Sequence, residues 1–195
     1  MKKNIFISLL LIAVAILPNN LFAADLRVRG GLLSVNTKDI ETQGTIIQLV
    51  IPFSALLYST VIGDWEGDMQ WAESIGSTVV STQILKWTIH EERPYQADNT
   101  SGQSFPSGHT SFAFAGAAYW QRRYGWYIGA PMYLAASYVG YSRVRAKDHN
   151  WADVIAGAAL GIGFNYLFTT RYSDGTNISV QPTDGGAYLH FSTKF

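Results

Sequence analysis

Five apolar stretches with helical spacing, at 46–62, 70–90, 107–120, 127–141 and 151–168, dominate the middle of this chain. Segments with a 3.6-residue period bury their apolar faces only by packing together, so the chain is confined to a helical bundle. The stretches are separated by turns such as GDWEG at 63–67, by QRRYGW at 121–126, and by a longer polar loop at 91–105. Residues 25–44 read as a loop or a short amphipathic lead-in. The last two stretches are rich in Ala and Gly, and Gly157-x-x-x-Gly161 permits close helix–helix contact. After them, NISVQPTDGGAYLHFSTKF places TDGG between two short runs, which predicts a β-hairpin over 177–195. The fold class is therefore all-α, a bundle of five to six helices with a C-terminal hairpin.

Composition narrows the function. The chain has 195 residues, enough for one domain with a sizeable core, and its formal net charge is zero. Only 14% of residues are charged, and there is no basic excess to hold nucleic acid. There is no cysteine, which removes thiol catalysis, disulfides, lipoprotein anchoring and every cysteine metal site. The first residues, MKKNIFISLLLIAVAILPNNLFAAD, have two lysines, an apolar core over 5–17 and small residues at Ala23 and Ala24. That core is nearer the length of an export signal than of a bilayer span. Residues 1–24 are thus expected to be a signal peptide, with an uncleaved anchor as the alternative, and 25–195 a single domain.

The sparse charges cluster at segment ends. KWTIHEERP carries Lys86 and Arg93, seven apart, so on a helix that continued two turns they would share a face. Alone, this is also what a solvated helix C-terminus looks like, where cations complement the dipole. SFPSGHTSFAF puts Ser107, a good N-cap, ahead of an apolar run. The amides of Gly108, His109 and Thr110 would then lack intrahelical partners, which makes a helix start ready for an anion. SRVRAKDHNWAD carries Arg143, Arg145, and His149 and Asp153 four apart, close enough for carboxylate–imidazole contact on a helix face. Antiparallel helices bring alternate ends to one side, so these clusters are expected to converge. Three fixed cations around free amides suit a phosphate or similar oxyanion, and two histidines beside it suit a nucleophile and an acid.

In order and spacing, Lys86-x6-Arg93-Pro94, Pro106-Ser107-Gly108-His109 and Ser142-Arg143-x5-His149-x3-Asp153 resemble the three-part signature of the type-2 phosphatidic acid phosphatase superfamily. Bacterial class A acid phosphatases and vanadium haloperoxidases share that signature. The resemblance spans about 86–153 and implies a phosphatase. His149 would attack phosphorus and form a phosphohistidine, Asp153 would orient it, and His109 would protonate the leaving oxygen. Lys86, Arg93, Ser107, the Gly108 amide and Arg143 would hold the phosphate, and neither metal nor cofactor would be required. His90 and Arg145 match no signature position.

The apolar segments and the signal favour a lipid substrate in the cell envelope. Candidates are undecaprenyl pyrophosphate, phosphatidate, phosphatidylglycerophosphate or lipid A phosphate. Most apolar runs fall short of a full span, so a peripheral or partly embedded bundle is the expectation. The alternatives are a soluble periplasmic acid phosphatase of broad specificity, a haloperoxidase (disfavoured by the short chain), and a non-catalytic envelope protein suggested by the β-like tail. The sequence does not specify an oligomeric state.

Overall fold

The computed structural model describes residues 37–94 and 103–173, together with the backbone of two strands at 177–183 and 186–192. The expected signal at 1–24, the hairpin turn residues 184–185 and the last three residues lie outside the described residues. Five α-helices follow in order: α1 (Thr37–Ile62), α2 (Trp65–Ile89), α3 (Gly108–Tyr119), α4 (Trp126–Arg145) and α5 (Trp151–Phe168). A π-helical turn, Trp120–Tyr124, joins α3 to α4. Strands β1 (Asn177–Thr183) and β2 (Gly186–Ser192) pair antiparallel, Asn177 opposite Ser192 and Thr183 opposite Gly186. The bundle and hairpin are those the sequence predicts.

Helix α3 is the centre of the bundle and touches each of the other four helices. Its side chains are small where neighbours approach, and Ala113, Ala115, Ala117 and Ala118 are fully buried. Two glycines of α5 fit against it. A Cβ on Gly161 would lie 2.5 Å from the Ser111 carbonyl oxygen, and one on Gly157 would lie 2.6 Å from that of Ser107. The predicted Gly-x-x-x-Gly contact is therefore the α3–α5 seam. At the lower end of α3, Tyr119 and Trp120 fill the core with Tyr58 and Tyr124 around them.

The helices are longer than the apolar runs. Helix α1 begins at Thr37, where a loop or lead-in was expected, and within it Thr42 and Thr45 return hydroxyl bonds to the Lys38 and Glu41 carbonyls. It also runs through Pro52, whose carbonyl accepts from Trp71 Nε1 at 2.9 Å. Helix α2 has 25 residues, started by Asp64, whose carboxylate accepts from the Gly67 amide at 3.0 Å. Its amphipathicity is inverted. Gln70, Ser74, Thr78 and Thr82 form a buried polar stripe at i, i+4 spacing, while Trp65, Met69, Val79, Val80, Ile84 and Trp87 face outward. Thr78 Oγ1 bonds the Ser74 carbonyl at 2.7 Å and Thr82 Oγ1 bonds Ser111 Oγ at 3.1 Å, so the stripe is satisfied from within. Polar, small residues inside and apolar residues outside is the arrangement of helices packed in lipid.

Among the described residues, α1 and α5 are long and apolar enough to cross a membrane, with mean hydropathy of 1.8 and 1.3. Only 28% of each such window is buried, so both present most of that apolar surface outward.

Candidate active site

The C-terminal ends of α2 and α4 and the N-terminal ends of α3 and α5 meet at one end of the bundle, as expected from antiparallel packing. Backbone bonds hold them in register. The Ser107 amide donates to the Asp153 carbonyl at 3.0 Å, which ties the start of α3 to the first turn of α5. The Ser104 amide donates to the Glu91 carbonyl at 2.8 Å, which ties the two arms of the polar loop.

Lys86 sits in the last turn of α2, and its ammonium donates to the carbonyls of Gln103 at 2.7 Å and Ser104 at 3.4 Å. Arg93 does not share a helix face with it. Helix α2 stops at Ile89, His90 adopts a left-handed conformation (φ 50°), and Arg93 lies in the coil beyond. Arg93 thus reaches the site from the coil rather than from the helix. Arg93 Nη1 stands 3.6 Å from Asp148 Oδ1, while its buried Nε has no partner among the described residues.

Ser107 occupies the N-cap position of α3 but its side chain does not cap. The buried hydroxyl accepts from Thr110 Oγ1 at 3.0 Å instead. The expected hydroxyl cap is thus corrected, and the amides of Gly108, His109 and Thr110 are left without acceptors among the described residues. At Gly108 a Cβ would make only ordinary contact with Lys86 Cε, 3.8 Å away, so the ammonium stem lies beside those amides. His109, half-buried on the first turn, makes no hydrogen bond to a described residue. It lies within electrostatic reach of Arg143, His149, Arg93 and Lys86.

Arg143 is nearly fully buried at the end of α4. Its Nη2 donates to the Glu41 carbonyl and lies 3.3 Å from Thr45 Oγ1, its Nε bonds Ser142 Oγ at 3.1 Å, and its Nη1 stands 3.7 Å from Asp148 Oδ2. The unexpected first turns of α1 therefore fix this guanidinium. Asp148 bridges Arg93 and Arg143, a role the sequence reading did not assign. Burial raises its carboxyl above the usual range, with Glu41 adding to the rise and Arg93 and Arg143 opposing it.

His149 precedes α5 rather than lying on it, since the helix starts at Trp151 with Asn150 as N-cap. The predicted contact is still made, from the loop into the first helical turn: His149 Nδ1 lies 3.2 Å from Asp153 Oδ2. Asp153 is completely buried, and the same oxygen accepts from the Asn150 amide at 3.1 Å and from Ser104 Oγ at 2.6 Å. With Nδ1 committed to a carboxylate, the other ring nitrogen is left as the base. Burial lowers the His149 imidazole from 6.5 to about 4; Asp153 pulls the other way, and Lys86 and Arg93 deepen the fall. The ring is therefore neutral, and nucleophilic, well below neutral pH. Ser104 was missed as well. It sits in a loop that its residue types mark only as loop, and no spacing announces it.

Comparisons with known proteins agree with this geometry. The model of the PAP2 superfamily matches residues 69–176, more than half of the chain. The lipid A 1-phosphatase of Porphyromonas gingivalis is 27% identical over 226 aligned positions, covering 100% of this chain and 49% of that protein. The lipid A 4'-phosphatase of Helicobacter pylori is 40% identical over 72 residues, 37% of this chain and 36% of that one. The chain thus spans half or less of the length of these two relatives. A solved transmembrane PAP2-type phosphatidylglycerolphosphate phosphatase from Bacillus subtilis has a similar fold, with a TM-score of 0.50 at 22% identity over 85% of this chain and 92% of that one. From the family match, and from the three motifs that the fold gathers at one end of the bundle, the chain belongs to the PAP2 superfamily.

Proposed function

We propose that the protein is a metal-independent phosphatase that removes phosphate from a lipid phosphomonoester or pyrophosphate through a phosphohistidine. The observation that carries this is the meeting of Lys86, Arg93 and Arg143 with the free N-terminal amides of α3, beside a histidine whose Nδ1 is engaged by a buried carboxylate. His149 Nε2 attacks phosphorus, and the bond from phosphorus to the leaving oxygen breaks. Burial and the neighbouring cations lower the His109 imidazole to about 4, and the charge of a phosphate among them opposes that fall, so that His109 supplies the proton that this oxygen takes up. Water then gives a proton back to His109 and attacks the phosphohistidine; the phosphorus–nitrogen bond breaks, releasing phosphate and restoring the imidazole. The two-step route replaces one difficult displacement by two easier ones. The cations, the Ser107 hydroxyl and the Gly108 amide offset the charge on the non-bridging oxygens, the part Mg²⁺ plays in other phosphoryl transfers.

The outward apolar faces support a membrane-embedded bundle, beyond the peripheral or partly embedded one that the sequence favoured. Exposed Trp87 and Trp151 lie at the active-site end, and Trp65 and Trp126 at the other, as interfacial belts do. This supports a site at headgroup depth, where a lipid phosphate resides. The named relatives act on lipid A, and the solved structure on a phosphatidylglycerolphosphate. These names support a phosphorylated membrane lipid as substrate. The signal-like residues 1–24 support an envelope location with the site facing the periplasm and one catalytic domain over 25–195.

The test is phosphate release from detergent-solubilised lipid A, phosphatidate, phosphatidylglycerophosphate and undecaprenyl pyrophosphate, with a soluble phosphomonoester beside them. His149→Ala is expected to abolish release and acid-labile phosphoenzyme labelling, and chelators to leave the wild type unaffected. An active His149→Ala enzyme removes the nucleophile assignment. Release of the protein from membranes by carbonate, together with turnover of the soluble ester alone, would replace this reading by the soluble acid phosphatase.

A further inference from the structure

Ser104 lies outside all three motifs, yet it touches the first through Lys86 and the third through His149 and Asp153. It is completely buried three residues ahead of Ser107. Its carbonyl receives the Lys86 ammonium at 3.4 Å, and its amide donates to the Glu91 carbonyl at 2.8 Å in the loop that leads to Arg93. Its hydroxyl donates to Asp153 Oδ2 at 2.6 Å and stands 3.4 Å from His149 Nδ1. Three donors, from Ser104, Asn150 and His149, therefore converge on one carboxylate oxygen. The other oxygen, Asp153 Oδ1, is buried without a partner among the described residues.

We infer that Ser104 is a positioning residue for phosphoryl transfer, holding the Asp153 carboxylate so that Oδ2 faces His149 Nδ1 and the opposite ring nitrogen faces the phosphate. The inference rests on the phosphatase reading and extends it. The carboxylate sits on the first turn of α5 with freedom about its side-chain torsions. Rotating it would bring Oδ1 toward the imidazole but break the Ser104 bond, a charge-assisted contact of the stronger kind. The hydroxyl also draws charge from Oδ2. Without it, Asp153 holds the protonated imidazole more tightly, so removing it raises the His149 pKa. The groups facing His149 are Lys86 from α2, Arg93 from the following coil, His109 from α3 and Asp153 from α5, and none of these changes in the variants below.

The experiment compares Ser104→Ala with Ser104→Thr, which keeps the hydroxyl, in the full-length protein. Two readouts are taken: the pH dependence of phosphate release from a lipid phosphate in micelles, and the titration of the His149 imidazole by NMR. Ser104→Ala is expected to lower kcat by roughly 10- to 100-fold, the size of a lost hydrogen bond to a charged group, with KM changed by less than about twofold. Its acid limb and the His149 midpoint should both move to higher pH, and Ser104→Thr should restore both toward wild type. A Ser104→Ala protein with wild-type kcat and midpoint would overturn the inference. Equal losses in both variants with no shift of the midpoint would also overturn it, since the role would then be packing. If the alanine variant does not fold, Ser104→Cys, of similar size but a weak donor, takes its place with the same expectations. A wild-type protein that releases no phosphate and takes no phosphohistidine label defeats the phosphatase reading instead. The NMR midpoint still decides the role of Ser104 in that case.

Discussion

Gly157→Ala should impair catalysis through the seam between α3 and α5. A Cβ at 157 would lie 2.6 Å from the Ser107 carbonyl oxygen and 3.2 Å from the Ser111 amide nitrogen. An ordinary carbon–oxygen contact needs at least about 3.2 Å, so the start of α3 or the α5 backbone must yield by roughly 0.6 Å, in keeping with close-packed interiors that transmit strain. Both obstacles are backbone atoms, and neither can swing aside as a side chain would. Overpacking of this kind costs about 1–3 kcal/mol of stability. The displaced segment carries Ser107, the free amides and His109, and a misplacement near 1 Å at a reacting centre can cost about 100-fold in rate. The expected result is a kcat lowered roughly 10- to 100-fold, together with the stability loss. Gly161→Ala is the comparison, because its Cβ would meet Ser111 O at 2.5 Å and Ala115 N at 2.6 Å, one turn deeper in the same seam. It should lose similar stability and keep more of its rate. Gly163→Ala meets nothing within 4 Å and should be stable and active. The assays are phosphate release per folded molecule and unfolding in detergent. A fully active, fully stable Gly157→Ala protein would refute the reasoning, and so would a Gly163→Ala protein impaired to the same degree.

Two further outcomes follow from the buried charges. His149 titrates near 6.5 in the unfolded chain and about 4 in the fold, so the unfolded state binds more protons between those values. Its contribution to stability is complete above about pH 6.5 and is lost as pH falls toward 4, on the order of 3 kcal/mol in all. Unfolding measured at pH 7.5, 5.5 and 4 should show this loss in wild type and a shallower one in His149→Ala, and identical slopes would disprove it. At the far end of the bundle, Arg123 bonds Asp64 through Nε at 2.8 Å and through Nη2, both groups being almost wholly buried. Arg123→Ala leaves the carboxylate with only Tyr124 and the Gly67 amide, and should destabilise by about 3–5 kcal/mol. Lys86 lies roughly 25 Å further along α2 than Gln70 of this cluster at 1.5 Å per residue. The rate per folded molecule should therefore hold, and a selective loss of rate with stability intact would contradict the separation.

The helical class, the hairpin and the residues proposed for the site were legible because each is a local statement. Period 3.6, a Thr-Asp-Gly-Gly turn, and the motif spacings from Lys86 to Asp153 all reside in neighbouring residues. Helix α5 was read to its last residue, since Asn150 ahead of it and Phe168 at its end bound one long, mostly apolar run. Helix extent was harder to read wherever polarity and burial disagreed. Residues 25–44 look like a lead-in, and Glu73 and Lys86 make α2 look too polar to face lipid. Only packing shows that the polar side of α2 is the inside. The site divides in the same way. Sequence named His149 and Asp153 and their separation, which already allows them to meet, but it put them on a common helix and gave Ser107 a cap that its hydroxyl does not make. It could not reveal that Ser104 bonds Asp153, that Asp148 bridges Arg93 and Arg143, or that Glu41 and Thr45 of α1 pin Arg143, about a hundred residues away. Spacing constrains partners within a turn or two of chain. Partners joined by a closed loop are decided by which helix ends the core brings together, and here that was settled by the small residues along the buried faces of α3 and α5.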